Sequence, residues 1–160
     1  MNKQSITVID YGMGNLWSVL SALRFLGCNP TISSDPDEIA SADSLLLPGV
    51  GPFRKAMIAL KQHGLDQAII EAVQTKGRKI LGICLGMQLL FDESEEQGLT
   101  KGLGFIKGKV KRLNHSFNSP VPHVGWNGLE LIKENPLFLD IDTNAKFYYD
   151  HSYFATTVDQ

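Results

Sequence analysis

A cysteine lies between two glycines at residues 82–86, where the sequence reads Gly-Ile-Cys-Leu-Gly. The apolar run "KILGIC" leads into Cys84, and a pattern of helical period follows it. A nucleophile elbow has this form, because a sharp strand-to-helix turn strains the nucleophile and larger flanking side chains would clash. We expect Cys84 at the carboxyl edge of a sheet and at a helix N-terminus, whose dipole favours the thiolate. The alternative is a buried structural cysteine.

A glycine-rich loop after a second apolar run could serve the same reaction. "LLLPGVGPF" (45–53) ends a predicted strand with two glycines and two prolines. A Gly-Val peptide can orient its N–H freely, and thiolate attack on a carbonyl needs such donors at the developing oxyanion. The sequence therefore predicts an oxyanion hole formed by Gly49, Val50 and the N–H of Leu85. An ordinary β-to-α turn would also explain the glycines and prolines.

The loop "YGMGN" (11–15) resembles a dinucleotide-binding loop but lacks the third glycine. No acidic residue closes a second strand where a ribose contact would be expected. A structural turn, or a surface loop used by a partner, is the better interpretation.

A cysteine nucleophile usually needs a base and a group that orients that base. The four histidines are His63, His115, His123 and His151. None lies in an H-x-E or H-x-D arrangement that would supply both groups. His151 is the best placed to face a ligand, and we favour a binding-loop role for it over that of the base.

The elements that must position these residues follow from the periodicity of the first half. Strands are predicted at 6–10, 29–34, 44–49 and 78–84, with helices between them and a further helix from Leu85 to about Asp92. This alternation predicts an α/β fold, a parallel or mixed central sheet with helices on both faces. From about Gly104, short strand candidates without long helices predict an antiparallel or mixed extension of the sheet.

Composition and charge narrow the class of protein. The chain has 160 residues, 43% hydrophobic and 20% charged, with a net charge of -2 and two cysteines. Nothing here favours a nucleic-acid or membrane partner, and no apolar run approaches the roughly 20 residues of a spanning helix. Two cysteines do not make a disulfide scaffold, so we expect a cytoplasmic protein in which Cys28 contributes to packing.

Several motifs resemble the class I (triad) glutamine amidotransferase family: the elbow "GICLGMQLLF", the "PGVG" loop and "SEEQGLTKGLGFIKGKV". "IDYGMGN", "PHVGWN" and "FYYDHSY" are most similar to the glutaminase subunits of imidazole glycerol phosphate synthases, and the resemblance covers essentially all 160 residues. It implies a flavodoxin-like sheet in one amidotransferase domain, residues 1–160. It also implies that Cys84 attacks the side-chain amide of glutamine, releases ammonia and forms a glutamyl thioester that water hydrolyses.

The resemblance implies binding roles for other residues. The Gly49–Val50 peptide would flip to turn its N–H toward the oxyanion. Glutamine would be held by Gln88, His151, Ser152 and Tyr153. Trp126 and Tyr148 would face a (β/α)8-barrel cyclase subunit, which forms a heterodimer with this chain and uses the ammonia in histidine biosynthesis. No metal and no cofactor are implied.

Two features depart from the family pattern. The family's "FHPE"-like segment, with the catalytic His and Glu, would follow "ATTVDQ", so the resemblance implies a C-terminally incomplete domain whose own activity is open. Asp150 stands where the family usually has an apolar residue. Three alternatives therefore stay open: a non-catalytic scaffold or regulator, an elbow hydrolase of ester-like substrates, and an amidotransferase subunit for a different synthase.

Overall fold

Strands and helices alternate through the first half of the chain, as the sequence predicts. The computed structural model describes residues 4–116, 120–132, 134–142 and 144–158. The first half contains β1 Ser5–Ile9, α1 Leu16–Phe25, β2 Asn29–Ser33, α2 Pro36–Ser41, β3 Ser44–Leu47, α3 Phe53–Gln62, α4 Leu65–Ile70, a π-helical turn Glu71–Thr75, β4 Lys79–Gly82 and α5 Leu85–Leu89. None of the helices in the described ranges is long and apolar enough to cross a membrane.

The four strands β1 to β4 form one sheet in the order β2-β1-β3-β4, in which neighbouring strands are parallel. The two central strands carry the most buried side chains, and Ile9 and Leu47 have no exposed surface. The register pairs Val8 with Leu46 and Leu47 with Gly82. Because parallel strands end at the same edge of a sheet, the segments after β1, β3 and β4 meet there.

Helix α1 has a local sequence signal at each end. The side chain of Asn15 caps it by accepting a hydrogen bond from the Ser18 N–H at 3.3 Å. Gly27 follows its end with φ at +80°, a backbone conformation that favours glycine. Cys28 packs against a core cluster that includes Leu20 and Leu23, so its predicted packing role is confirmed.

The second half contains β5 Phe91–Ser94, β6 Thr100–Lys101, β7 Ile106–Arg112, β8 His123–Asn127, a 3₁₀ turn Pro136–Phe138, β9 Phe147–His151 and β10 Tyr153–Thr157. In the part of the chain that the structure describes, these strands form a sheet of order β10-β7-β5-β6 and a separate pair, β8-β9. The expected extension of the first sheet is therefore wrong, because within the described ranges these strands pair with one another and not with β1 to β4. The α/β class, with parallel and mixed sheets and helices, is confirmed.

Helix α5 is shorter than expected. The sequence pattern predicts a helix to about Asp92, but the helix ends at Leu89 and β5 begins at Phe91. The carbonyl of Leu89 accepts from the N–H of Leu103, and that of Leu90 accepts from the N–H of Phe105, each at 2.8 Å. These carbonyls bond a distant segment instead of the next helical turn, so the helix ends.

The chain forms two compact units. The first comprises the residues up to Lys111 together with those from Ala155 onward, and the second comprises Arg112–Phe154. The expectation of a single domain over residues 1–160 stays a prediction. Cys84 belongs to the first unit, and His151 belongs to the second.

Candidate active site at the turn after β4

Cys84 lies in the turn that joins β4 to α5, and its side chain is exposed. Its backbone has φ +55° and ψ -118°, a conformation that costs a non-glycine residue about 1–3 kcal/mol. Strain of this kind persists where the surrounding structure enforces it, and it holds the sulfur at the surface of the sheet edge. The predicted nucleophile elbow is therefore present in the backbone.

The two glycines of the elbow are required by close backbone contacts. A Cβ at Gly82 would overlap the backbone of Met87, and a Cβ at Gly86 would overlap the carbonyl oxygen of Leu47. The Ile83 N–H also donates to the Leu47 carbonyl at 3.0 Å. The end of β3 and the start of α5 therefore touch through backbone alone, which fixes the turn that carries Cys84.

The loop after β3 lies against this elbow. A Cβ at Gly49 would come within 3.1 Å of the Gly86 nitrogen and 3.2 Å of the Leu85 Cβ. Among the described residues, the N–H groups of Val50 and Leu85 donate to no backbone acceptor. Val50 is 56% exposed, while Leu85 is buried. Both predicted oxyanion donors are thus close to the elbow in the same unit, and their role remains a prediction.

Gln88 follows Cys84 by one helical turn, and its N–H donates to the Cys84 carbonyl at 3.3 Å. The helix therefore places it near the nucleophile, where the family resemblance expects a glutamine-binding residue. Its glutamine-binding role stays a prediction.

Tyr11 is a residue of this region whose role the sequence does not reveal. It is 4% exposed, and its hydroxyl donates to the carbonyl of Pro48 at 2.9 Å. Burial raises the pKa of the Tyr11 phenol, and the nearby Cys84 raises it further. The phenol therefore stays neutral and remains a hydrogen-bond donor. The loop "YGMGN" supplies a contact to the candidate site as well as a turn.

Glu96 is a second such residue. Helix α3 has no side-chain cap of its own, because its N-cap residue is Pro52. The Glu96 carboxylate accepts a hydrogen bond from the Phe53 N–H at 2.7 Å and so caps the helix from a distant segment. The buried Ser94 accepts from the Glu96 N–H at 3.1 Å. The "SEE" stretch thus fixes the helix that follows the "PGVG" loop.

In the second unit, strands β8 and β9 bring two histidines together. His123 pairs with His151 in the register, and His123 Nδ1 lies 2.9 Å from His151 Nε2. His151 Nδ1 lies 2.9 Å from the carbonyl of Tyr153, which can only accept. His123 Nε2 lies 2.6 Å from Asn127 Nδ2, which can only donate. With both rings neutral, every donor meets an acceptor along this chain.

The histidine chain bears on the choice of base. Both ring nitrogens of His151 have partners within the second unit, which favours the binding-loop interpretation. The carbonyl of Ser152 is also engaged, since it accepts from the Leu113 N–H at 2.9 Å. In the described ranges, no group of three or more His, Cys, Asp and Glu residues could hold a metal ion.

Trp126 and Tyr148 also form a cross-strand pair on this hairpin. Their ring centroids are 5.6 Å apart at an interplanar angle of 64°, an edge-to-face arrangement. They are 65% and 57% exposed. Two large exposed aromatic side chains that support each other are typical of a protein-binding surface.

Comparison with known proteins decides the family. The model of the class I glutamine amidotransferase family matches residues 7–160. The chain belongs to this family. The imidazole glycerol phosphate synthase subunit HisH of Geobacillus thermodenitrificans is 52% identical over 154 residues, which cover 94% of this amidotransferase chain and 71% of that protein. HisH 1 of Campylobacter jejuni strain RM1221 is 44% identical over 155 residues, which cover 97% of the chain and 77% of that protein.

Solved structures show the same fold. A putative GMP synthase subunit from Thermoplasma acidophilum matches with a TM-score of 0.64 and 18% identity, over 97% of this amidotransferase chain and 68% of that chain. A crystal structure of a glutamine amidotransferase matches with a TM-score of 0.60 and 18% identity, over 77% of this chain and 62% of that chain. The amidotransferase chain thus spans about three quarters of the two HisH proteins named above. It spans less than two thirds of the glutamine amidotransferase structure that matches with a TM-score of 0.60.

Proposed function

We propose that this chain is the glutaminase subunit of an imidazole glycerol phosphate synthase. The observation that carries the proposal is the exposed Cys84 in a strained elbow, with the Gly49–Val50 peptide next to it. That geometry serves acyl transfer through a thiolate, and the relatives that match nearly the whole chain are named as subunits of this synthase.

The proposed reaction begins with attack of the Cys84 thiolate on the side-chain amide carbon of glutamine. A C–S bond forms, and the electron pair of the carbonyl moves onto its oxygen. The N–H groups of Val50 and Leu85 are the donors for this oxyanion. When the intermediate collapses, the C–N bond breaks and the nitrogen leaves as ammonia after it gains a proton. Water then hydrolyses the thioester to glutamate and frees the thiolate.

Proton transfer needs a general acid–base group, and its loss costs about 10²–10⁴-fold in rate. We do not assign this role to His151, because both its ring nitrogens already have partners. The proposal assigns this role to none of the described residues. Gln88 is a glutamine-binding residue in this proposal, and the binding roles expected for His151, Ser152 and Tyr153 stay predictions.

The proposed partner is a (β/α)8-barrel cyclase subunit, which forms a heterodimer with this chain and receives the ammonia. In this complex the chain acts as a hydrolase and the cyclase subunit acts as a lyase. The proposal places the complex in the cytoplasm, a reducing compartment in which free cysteines such as Cys28 and Cys84 persist as thiols.

The test is glutamate release from glutamine by the chain, with and without a cyclase subunit loaded with its nucleotide. We expect release to rise when the loaded partner is present. Complex formation without any release would favour the scaffold alternative. Hydrolysis of simple esters together with indifference to glutamine would favour an unrelated elbow hydrolase.

The exposed aromatic pair gives a separate prediction about the partner. Trp126→Ala is expected to weaken binding of the cyclase subunit by about 30-fold or more, because truncation of a hot-spot tryptophan costs about 2 kcal/mol. Tyr148→Phe keeps the edge-to-face contact and serves as the matched control, with affinity close to that of the unchanged chain. Titration calorimetry gives both values. Equal affinity for Trp126→Ala and the unchanged chain would remove this surface from the interface.

A further inference from the structure

Tyr11 reaches the loop that carries the oxyanion donor. It follows β1 by two positions, and its hydroxyl donates to the Pro48 carbonyl at 2.9 Å. Pro48 immediately precedes Gly49 and Val50, and it is buried along with Gly49. A buried hydrogen bond therefore fixes the chain two residues before the N–H that must meet the oxyanion.

Gly49 lies between Tyr11 and the elbow. The space that a Cβ would need at Gly49 is occupied by the Tyr11 hydroxyl on one side. Leu85 Cβ and the Gly86 nitrogen lie within 3.2 Å of the same position. Val50, by contrast, is 56% exposed, and its N–H has no backbone acceptor among the described residues. The fixed part of the loop therefore ends at Gly49, next to the donor.

We propose that Tyr11 is a positioning residue, which holds the Pro48–Gly49 backbone so that the Val50 N–H can reach an oxyanion formed at Cys84. Tyr11 does not touch the substrate and acts through Pro48. This inference rests on the proposed acyl transfer at Cys84 and adds a residue to it. Since burial and Cys84 keep the phenol neutral, the tether to Pro48 persists over the pH range in which a thiolate reacts.

Two reactions of the Cys84 sulfur distinguish an effect on the position of the Val50 N–H donor from an effect on the reactivity of the thiolate. With p-nitrophenyl acetate, the thiolate forms a C–S bond, an oxyanion develops, and p-nitrophenolate leaves without needing a proton. With iodoacetamide, the thiolate displaces iodide and no oxyanion forms. The first reaction depends on the Val50 donor and the second does not. The Cys28→Ala background leaves Cys84 as the single cysteine in the sequence.

In this background, Tyr11→Phe removes the hydroxyl and keeps the ring. We expect the rate of acetylation to fall about 10-fold, less than the 10²–10³-fold cost of deleting an oxyanion donor outright. We expect the rate of alkylation to stay within about 2-fold, because the elbow is unchanged. Thr156→Val is the matched control, since the Thr156 hydroxyl also donates to a backbone carbonyl, that of Lys109, but on β10. Both of its rates should match the background.

A second variant keeps the test decisive if the Phe substitution disturbs folding. Gly49→Ala places a Cβ against the Tyr11 hydroxyl, so it should lower acetylation more than alkylation, because the Cβ meets this hydroxyl more closely than it meets Leu85 and Gly86 of the elbow. The double variant with Tyr11→Phe should then lose no more than Gly49→Ala alone, because both changes disturb the same contact. Equal changes in acetylation and alkylation, unchanged acetylation in Tyr11→Phe, or additive losses in the double variant would overturn the inference.

Failure of the proposed function gives a different result. The acetylation assay uses neither glutamine nor a partner. A chain without glutaminase activity would still show the selective loss in Tyr11→Phe if the tether acts as proposed. A chain with glutaminase activity and no selective loss would retain the function and reject the tether.

Discussion

Replacement of Cys84 by alanine is expected to lower glutamate release by about 10⁴-fold or more, the scale seen when a covalent hydrolase loses its nucleophile. Without the sulfur no thioester forms, and the remaining oxyanion donors have no attacking group to assist. The measurement is glutamate production by the chain with its loaded cyclase partner. Affinity for that partner should not change, because the aromatic pair on β8 and β9 is intact.

Cys28→Ala is the matched control for this loss. Cys28 packs against the core cluster under α1 and has no strained backbone, so turnover should stay close to that of the unchanged chain. Substantial glutamate release by Cys84→Ala would mean that another group attacks glutamine. Loss of release in both variants would point to the fold rather than to the nucleophile.

Gly86→Ala is expected to lower both stability and Cys84 reactivity. The new Cβ would overlap the Leu47 carbonyl oxygen and lie 2.7 Å from the Leu47 carbonyl carbon. Neither atom belongs to a flexible side chain, so β3 and α5 must move apart. Overpacking costs about 1–3 kcal/mol, and we expect about 3 kcal/mol here, which lowers Tm by roughly 6–12 °C. Alkylation of Cys84 by iodoacetamide should slow as well, because the elbow opens.

Thermal unfolding monitored by circular dichroism gives the comparison. Gly128→Ala is the control, since a Cβ at Gly128 meets nothing within 4 Å and its backbone needs no left-handed conformation. Its Tm should stay within about 2 °C of the unchanged chain, as for an ordinary surface substitution. Equal Tm values for the two variants would contradict the close approach of β3 to α5.

The elbow could be predicted from sequence because all its determinants are local. An apolar strand, two small residues around the cysteine and a helical pattern after it lie within residues 79–91. The structure adds the strained backbone at Cys84 and the atoms that forbid larger residues at Gly82 and Gly86. The limits of α1 are similarly local, since Asn15 and Gly27 are short-range signals.

Tyr11 and Glu96 could not be found in this way, because their partners are far along the chain. The Tyr11 hydroxyl meets Pro48, 37 residues away, and the Glu96 carboxylate meets Phe53, 43 residues away. Such contacts depend on which strands are neighbours in the sheet and on how the loops pack beyond its edge. Periodicity within a segment contains neither kind of information.

The position at which α5 ends and the pairing of two histidines also depend on contacts between distant segments, which the periodicity of one segment does not contain. Residues 85–92 keep a helical pattern, but Leu89 and Leu90 bond Leu103 and Phe105 instead of the next turn. The sequence pattern does not relate His123 to His151. Only the register of β8 and β9 places them side by side, and that register engages Nε2 of His151, whose Nδ1 meets the Tyr153 carbonyl on its own segment.

Detection of a γ-glutamyl group on Cys84 tests the central claim most directly. The chain, its cyclase partner and glutamine would be mixed, quenched in acid during turnover, and digested for peptide mass analysis. The account predicts a γ-glutamyl thioester on the Cys84 peptide, with no adduct on the Cys28 peptide and none in Cys84→Ala. Glutamate release without any adduct on Cys84, and undiminished in Cys84→Ala, would contradict it.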